Sequence, residues 1–358
     1  MPGQHEESIQ PSPLDAVFRR LIASTGPISV AHYMAEANAH YYNSRDPLGG
    51  RGDFVTAPEI SQMFGEMIGL WLTDIWQRAG KPALCHYVEL GPGRGTLASD
   101  AMRVMAAQGF SPHMHFVETS QALRAEQRLK CPVAEWHDGI DSLPRDAPIM
   151  LVANEFLDAL PVRQLVATEQ GWRERMVDHD GIRFVPVSGS RPMNAAVPQA
   201  IADQAAGTIL ETHPAAAAIA YEVGHRLKQQ GGVALFIDYG HDAGDTPLFG
   251  SSLQAVRAHR KVDPFAQPGD CDLTAHVDFG ELRRIALSLD LAFDGTIGQG
   301  GWLLALGIQA RASQLIANAE TGQVERALHR LVDPDQMGAL FRVGAMRAPS
   351  WPSGEGFG

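Results

Sequence analysis

Val88-Glu89-Leu90-Gly91-Pro92-Gly93-Arg94-Gly95-Thr96 joins an apolar run that reads as a strand, His86–Leu90, to a run at helical spacing, Leu97–Gln108, stopped by Gly109. Glycines at such a turn let the backbone reverse sharply and approach a ligand closely, and the first helical N–H groups are left free to meet it. The alternation continues beyond this turn. His115–Val117 reads as a strand, Gln121–Lys130 as a helix, and Val133–Trp136 and Pro148–Ala153 as further strands. After an interruption come a strand at Val233–Asp238, a helix at Phe279–Leu287, and strands near Ala292–Ile297 and Trp302–Ile308. Strands separated by helices predict an α/β fold, a doubly wound and mostly parallel sheet covered on both faces.

Outside this core the pattern changes. Residues 14–23 and Val30–His40 carry helical spacing, with Gly26-Pro27 between them. Ile60–Gln77 is a stronger helix, its apolar residues Met63, Phe64, Met67, Ile68, Trp71, Leu72, Ile75 and Trp76 recurring at three- and four-residue steps. Asn43–Pro58, dense in Gly, Asp, Arg and Pro, reads as a loop longer than ordinary connections, and such loops are often functional. Residues 162–187 hold three short strands separated by Gln170-Gly171 and Asp180-Gly181, a β-meander, and Ala215–Lys228 reads as a helix. The expected organisation is an N-terminal helical segment with a lid loop (1–80) and a Rossmann-like core (81–161 and 229–312). An inserted meander plus helix (162–228) and a C-terminal extension (313–358) complete it.

Composition narrows the partners. Of the 358 residues 45% are hydrophobic and 20% charged, enough to bury a substantial core. The formal charge of −12 disfavours nucleic acid, since phosphate neutralisation supplies most of that affinity. Cys85, Cys131 and Cys271 form no CxxC pair, so a disulfide scaffold or a cysteine-rich zinc site is poorly supported and buried thiols are expected. His113 and His115 read as surface histidines, and no metal is expected. No apolar run approaches membrane-spanning length, so no membrane insertion is expected. Residues 1–13 are polar, with Glu6 and Glu7 and without an apolar leader, which reads as a cytoplasmic protein.

Glycine turns of this kind serve dinucleotides and S-adenosyl-L-methionine alike. Two details favour the methyl donor. The spacing is GxGxG (Gly91, Gly93, Gly95), not the GxGxxG that seats a pyrophosphate. Glu89 precedes the first glycine, where a carboxylate suits the donor's ammonium group and not a pyrophosphate. Glu118, 23 residues beyond Gly95, ends the second strand, where an acid accepts the ribose hydroxyls. Asp138-Gly139 follows the third strand, where an adenine edge would lie, although Asp is also an ordinary turn residue.

The chain resembles the MidA family of class I methyltransferases, whose mitochondrial members are assembly factors for respiratory complex I. The stretches that carry the resemblance run Gly26–Leu72, with the specific GDFVTAPEISQMFGE inside it, then Val88–Asp100, Asn154–Val162 (NEFLDALPV), Gly231–His241 and Asp263–Phe279. It spans about residue 14 to about residue 345. It implies a protein arginine methyltransferase whose substrate is a complex I subunit.

Methyl transfer is an in-line displacement, so the enzyme holds a nucleophile at attack distance and excludes water. Asn154, Glu155 and Asp158 follow the fourth strand at the ligand-binding edge. A helical turn there would put Glu155 and Asp158 on one face, fit to clamp a guanidinium through paired hydrogen bonds; the alternative is a capping Glu155 beside a solvated Asp158. Asp238 and Tyr239 end a core strand on the same edge and either border the pocket or serve structure. Asp53, Thr56 and Glu59 belong to the lid loop, or cap the helix that follows it. An assembly factor without catalysis and a methyltransferase acting on a small molecule are the competing readings.

Overall fold

The computed structural model describes residues 12–44, 56–242, 248–257, 260–317 and 321–357. Its core sheet has seven strands along one path: β1 His86–Leu90, β2 His113–Val117, β3 Glu135–His137, β4 Ile149–Asn154, β5 Gly232–His241, β6 Ala292–Gly298 and β7 Phe341–Arg347. Their order is β6-β7-β5-β4-β1-β2-β3, and the pair Val277–Asp278 adds to β5. From β5 to β3 all neighbours run parallel, whereas β7 is antiparallel to both β5 and β6. Every residue of β1 and β4 is buried, which explains why their sequences show no alternation: a central parallel strand is covered on both faces.

The helices of this unit are α1 Ala57–Ile60, α2 Gln62–Arg78, α3 Thr96–Ala107, α4 Gln121–Lys130, α5 Pro214–Gln230, α6 Phe279–Ser288, α7 Gln299–Ala305, α8 Ile308–Ile316 and α9 Thr321–Val332. Helix α2 lies hard against α3 because Gly65 and Gly69, one turn apart, remove the spacing that side chains impose. A Cβ at Gly69 would stand 2.6 Å from the Ala101 carbonyl oxygen, and one at Gly65 2.8 Å from Asp100 Cβ. A large buried cluster that includes Phe64, Trp71, Tyr87, Phe116, Trp302 and Phe341 fills this side of the sheet.

Two expectations need correction. Trp302–Ile308 is not a strand: Trp302 lies in α7 and Ile308 opens α8. The strand missing from the reading is β7, which completes the sheet from within the expected C-terminal extension. A short apolar run has no periodicity that separates a strand from a buried helix, and here the sheet had room for one strand between β5 and β6. Closer to expectation, the third strand is Glu135–His137; Asn43 and Ser44, expected in the long loop, close the helix Val30–Ser44, and residues 45–55 of that loop lie outside the described residues.

By its contacts the chain divides into two compact units that differ from the expected boundaries. One comprises Met1–Pro47, Pro161–Thr212 and Phe249–Thr274; the other comprises Leu48–Leu160, His213–Leu248 and Ala275–Gly358 and holds the core sheet. In the first, the meander strands Arg163–Thr168, Gly171–His179 and Phe184–Pro192 form, with Ile28–Ser29 and Ile209–Thr212, a five-stranded antiparallel sheet. A second sheet there joins Gln254–Arg257, Arg260–Val262 and Asp272–Thr274. Phe18 stacks on Tyr33 at 5.0 Å, fixing the N-terminal helix Pro13–Thr25 to its successor. The pairing of Ile28–Ser29 with Gly171–His179 joins segments about 150 residues apart, which no local pattern reveals. Cys85, Cys131 and Cys271 are buried and form no disulfide, as expected. Among the described residues no helix is long and apolar enough to cross a membrane.

Candidate active site

The strand order reverses direction between β1 and β4, so the loops leaving their carboxyl ends diverge and leave the crevice in which ligands bind in this architecture. Leu90 pairs with Ala153 at that edge, which brings the glycine turn beside the Asn154–Asp158 turn. Gly91 (φ 58°), Gly93 (φ 53°) and Gly95 (φ 75°) all take the left-handed conformation. A Cβ on Gly91 would stand 2.7 Å from Phe156 Cδ2, so the two turns interlock only with glycine there. Gly95 precedes the first turn of α3, whose N–H groups open toward the crevice.

Glu89 is 3% exposed and accepts the Tyr87 hydroxyl at 2.7 Å. Burial pushes its carboxyl up to about 8, the Tyr87 hydrogen bond offsetting only part of that effect. No cation neutralises it among the described residues, so its surroundings favour an incoming ammonium group. Glu118 is buried past the end of β2; its Oε1 accepts Ser120 N–H at 2.7 Å, and burial raises its carboxyl above the ordinary range. The buried amide of Gln127, which sequence reasoning missed, ties these parts together. Its Nε2 donates to the Gly93 carbonyl at 2.7 Å and lies 3.4 Å from Glu118 Oε2, while Trp136 Nε1 donates to its Oε1 at 2.8 Å. The available signal was its position one turn after Leu123 on the buried face of α4.

Asp138 does not join them. Its side chain is 86% exposed and accepts from Arg124 at 2.6 Å in a surface ion pair. Gly139 opens the turn behind it with an extended φ of −161°.

The segment after β4 is a turn, not a helix, because Glu155 itself is left-handed (φ 51°). The expected helical face shared by Glu155 and Asp158 is therefore absent. Asp238, 0% exposed, organises the turn instead. Its Oδ2 accepts the backbone N–H groups of Phe156 at 3.2 Å, Leu157 at 2.8 Å and Asp158 at 3.4 Å, and its Oδ1 accepts that of Tyr239 at 3.0 Å. Glu155 Oε1 accepts Ala57 N–H at 2.9 Å and Asn154 Nδ2 at 3.2 Å, which links the β4 turn to the start of α1. Burial pushes Glu155 up to about 7. Burial first, and the Glu155 charge second, raise Asp238. Asp158 is 4% exposed, and its carbonyl accepts Ala275 N–H at 2.9 Å. Asn154 Oδ1 is a buried acceptor with no hydrogen-bond partner among the described residues. Tyr239 is tilted against Phe341 at 4.0 Å and lies parallel to His276 at 6.5 Å; burial raises its phenol.

Of the lid residues, Asp53 lies outside the described residues. Thr56 stands before α1 without a side-chain capping bond. Glu59 does more than charge the first turn, for its Oε1 accepts Thr96 Oγ1 at 2.5 Å where the glycine turn enters α3. Thr96 also accepts Lys130 Nζ. The histidine expectation is half right: His113 is exposed, but His115, on a strand with neighbours on both sides, is 2% exposed.

The parts fit an adenosyl sulfonium: an acidic group without a cation, a glycine cradle that a Cβ would fill, a buried ribose-type acid and an orphaned acceptor. Comparisons agree. A methyltransferase family profile, described as S-adenosyl-L-methionine-dependent, matches residues 67–297. The chain is 36% identical to the human mitochondrial "Protein arginine methyltransferase NDUFAF7", covering 94% of this chain and 84% of that one. Against the Drosophila melanogaster homologue it is also 36% identical, covering 92% and 83%. A Burkholderia thailandensis protein solved bound to S-adenosyl-homocysteine superposes with a TM-score of 0.82 at 28% identity, covering 98% of this chain and 97% of that one. The cytoplasmic expectation is corrected by these relatives, which are mitochondrial; a polar start without an apolar leader carries no compartment information of its own. With a matching profile over most of the core, relatives above one-third identity and a cradle of the right chemistry, the chain belongs to the S-adenosyl-L-methionine-dependent methyltransferase family.

Proposed function

We propose that the chain methylates an arginine side chain of a protein. When bound, S-adenosyl-L-methionine supplies an electrophilic methyl group on a sulfonium. Glu89 neutralises the ammonium end, Glu118 takes the ribose hydroxyls, and the glycine turn admits the chain between them. The observation that carries the arginine reading is Asn154 Oδ1, a buried acceptor without a partner among the described residues, set in the acidic surroundings of Glu155, Asp158 and Asp238. A guanidinium offers five N–H donors and a positive charge to such a place. Asp238 holds the turn's backbone and thereby aims Asp158. Glu155, raised to about 7, is suited to take the proton that the attacking nitrogen must lose. The names of the relatives support the same substrate class. By the family resemblance, the protein partner is a subunit of respiratory complex I.

The test is transfer of labelled methyl from the donor to a complex I subunit, with methylarginine located by mass spectrometry. Asp158→Asn and Glu155→Gln are expected to bind S-adenosyl-homocysteine as the wild type does and to lose about two to three orders of magnitude in rate, since an amide cannot neutralise a desolvated guanidinium. Wild-type rates in both variants would make these carboxylates structural. Transfer to no protein at all by the wild type would favour an assembly factor that binds the cofactor without using it.

A further inference from the structure

The core sheet carries a second polar assembly that the methyl-transfer site does not use. His86 opens β1, His115 sits on β2 and His137 ends β3. His86 Nδ1 lies 3.0 Å from His115 Nε2, and His115 Nδ1 lies 3.1 Å from His137 Nε2. Both ends of this row are anchored. His86 Nε2 is 2.9 Å from Asp146 Oδ1, and His137 Nδ1 is 3.0 Å from Ser142 Oγ, which donates to the Gly139 carbonyl at 3.0 Å.

The protons can be followed inward from each end. An ionised Asp146 accepts only, so His86 carries its proton on Nε2 and presents a lone pair at Nδ1. His115 must then donate from Nε2, which leaves its Nδ1 as a lone pair. From the other side, Ser142 spends its one proton on Gly139 and accepts from His137 Nδ1, so His137 Nε2 is a lone pair too. Two imidazole lone pairs therefore face one another at 3.1 Å. The Glu135 carboxylate stands 3.9 Å from the same His115 Nδ1, on a side chain 70% exposed. The three ligand atoms lie within 4.8 Å of one another.

We propose that His115 Nδ1, His137 Nε2 and the Glu135 carboxylate bind a divalent transition-metal ion, zinc being the best match. Two nitrogens at zinc bond lengths of about 2.0–2.1 Å in tetrahedral geometry are about 3.3 Å apart, close to the observed separation. Imidazole donors select zinc and its neighbours over calcium or magnesium. The backing is that of a metal site as well: each ligating ring is held through its other nitrogen, one by His86 and Asp146, the other by Ser142. The fourth position faces solvent past Glu135. The ion would clamp β2 to the end of β3 and so fix the Asp138-Gly139 turn that follows it. The competing arrangement rotates the Ser142 hydroxyl onto His137 Nδ1, completes the row with neutral tautomers and binds no metal.

The experiment titrates the full chain, stripped of metal by chelation, with Zn2+ by calorimetry and with Co2+ by visible absorption. One saturable site is expected, with cobalt bands of a low-coordinate N/O site. Glu135→Gln and His137→Ala should weaken zinc binding by about 10–100-fold or more, the range seen even for partners one shell further out. Both should bind S-adenosyl-homocysteine as before. Glu135 is exposed, so Glu135→Gln carries the test if His137→Ala fails to fold. Absence of a saturable site in the wild type, or unchanged zinc affinity in Glu135→Gln, overturns the proposal and leaves a neutral hydrogen-bonded row.

Discussion

Glu89→Gln separates what the buried acid does for the fold from what it does for the ligand. In the folded, ligand-free chain the Glu89 carboxyl is pushed by burial to about 8 from an ordinary 4.5. Between those values the folded state holds a proton that the unfolded chain has released, so stability falls as pH rises through the window. At 1.36 kcal/mol for each tenfold step, this group destabilises the fold by about 2 kcal/mol at pH 6 and about 4 kcal/mol at pH 8, relative to strongly acid solution. Glutamine keeps an acceptor for the Tyr87 hydroxyl and does not titrate. Its buried amide protons cost about 1–3 kcal/mol if unpaired, independent of pH. The absolute difference from wild type is therefore small at pH 6, and the robust quantity is its growth with pH. Glu89→Gln should gain about 2 kcal/mol on wild type between pH 6 and pH 8, or about 3 °C in melting temperature at this chain length. The measurement is thermal unfolding of both ligand-free proteins across that range. In parallel, S-adenosyl-homocysteine affinity should fall by about 30-fold or more, because the ligand's ammonium loses its buried counter-charge. A constant difference in melting temperature, with unchanged ligand affinity, would refute the placement of Glu89 as the acid awaiting an ammonium group.

Three further outcomes follow from the same geometry. Gly91→Ala forces a Cβ toward the Phe156 ring in a left-handed conformation; it should lower stability by about 1–3 kcal/mol and abolish cofactor binding, as calorimetry and thermal unfolding would report. Asp238→Asn turns an amide donor or a weaker acceptor toward the three N–H groups at Phe156, Leu157 and Asp158, so methyl transfer should drop by about tenfold or more while S-adenosyl-homocysteine binding holds within a few fold; an unaltered rate would show that the turn is held otherwise. Gln127→Leu leaves the Gly93 carbonyl and Trp136 Nε1 without their partner. It should weaken cofactor binding by about tenfold, against no change if the buried amide serves only packing.

The sequence alone determined the α/β character, the glycine turn between strand and helix and the positions of the acids beside it, because each is written in local chemistry. Glycines at a strand–helix junction have one economical conformation, and Glu89 and Glu118 sit at fixed steps from strands that announce themselves by buried apolar runs. The helices Gln121–Lys130 and Phe279–Ser288 were legible from periodicity for the same reason. Only the tertiary structure decided the rest, since it depends on which distant segments meet. β7 is a strand because β5 and β6 present edges to it, while the equally apolar α7 finds no such edge. Asp238 organises a turn 80 residues earlier, and Glu155 reaches Ala57 nearly a hundred residues back. Asp138 pairs with Arg124, a partner 14 residues back across the α4 helix that spacing did not reveal. The row of His86, His115 and His137 exists only once three strands lie side by side in register, for a carboxylate, a hydroxyl and three rings spread over 61 residues of chain carry no periodic signal. Sequence fixes local conformational preference; long-range partners are chosen by whatever buries the most surface with every polar group satisfied.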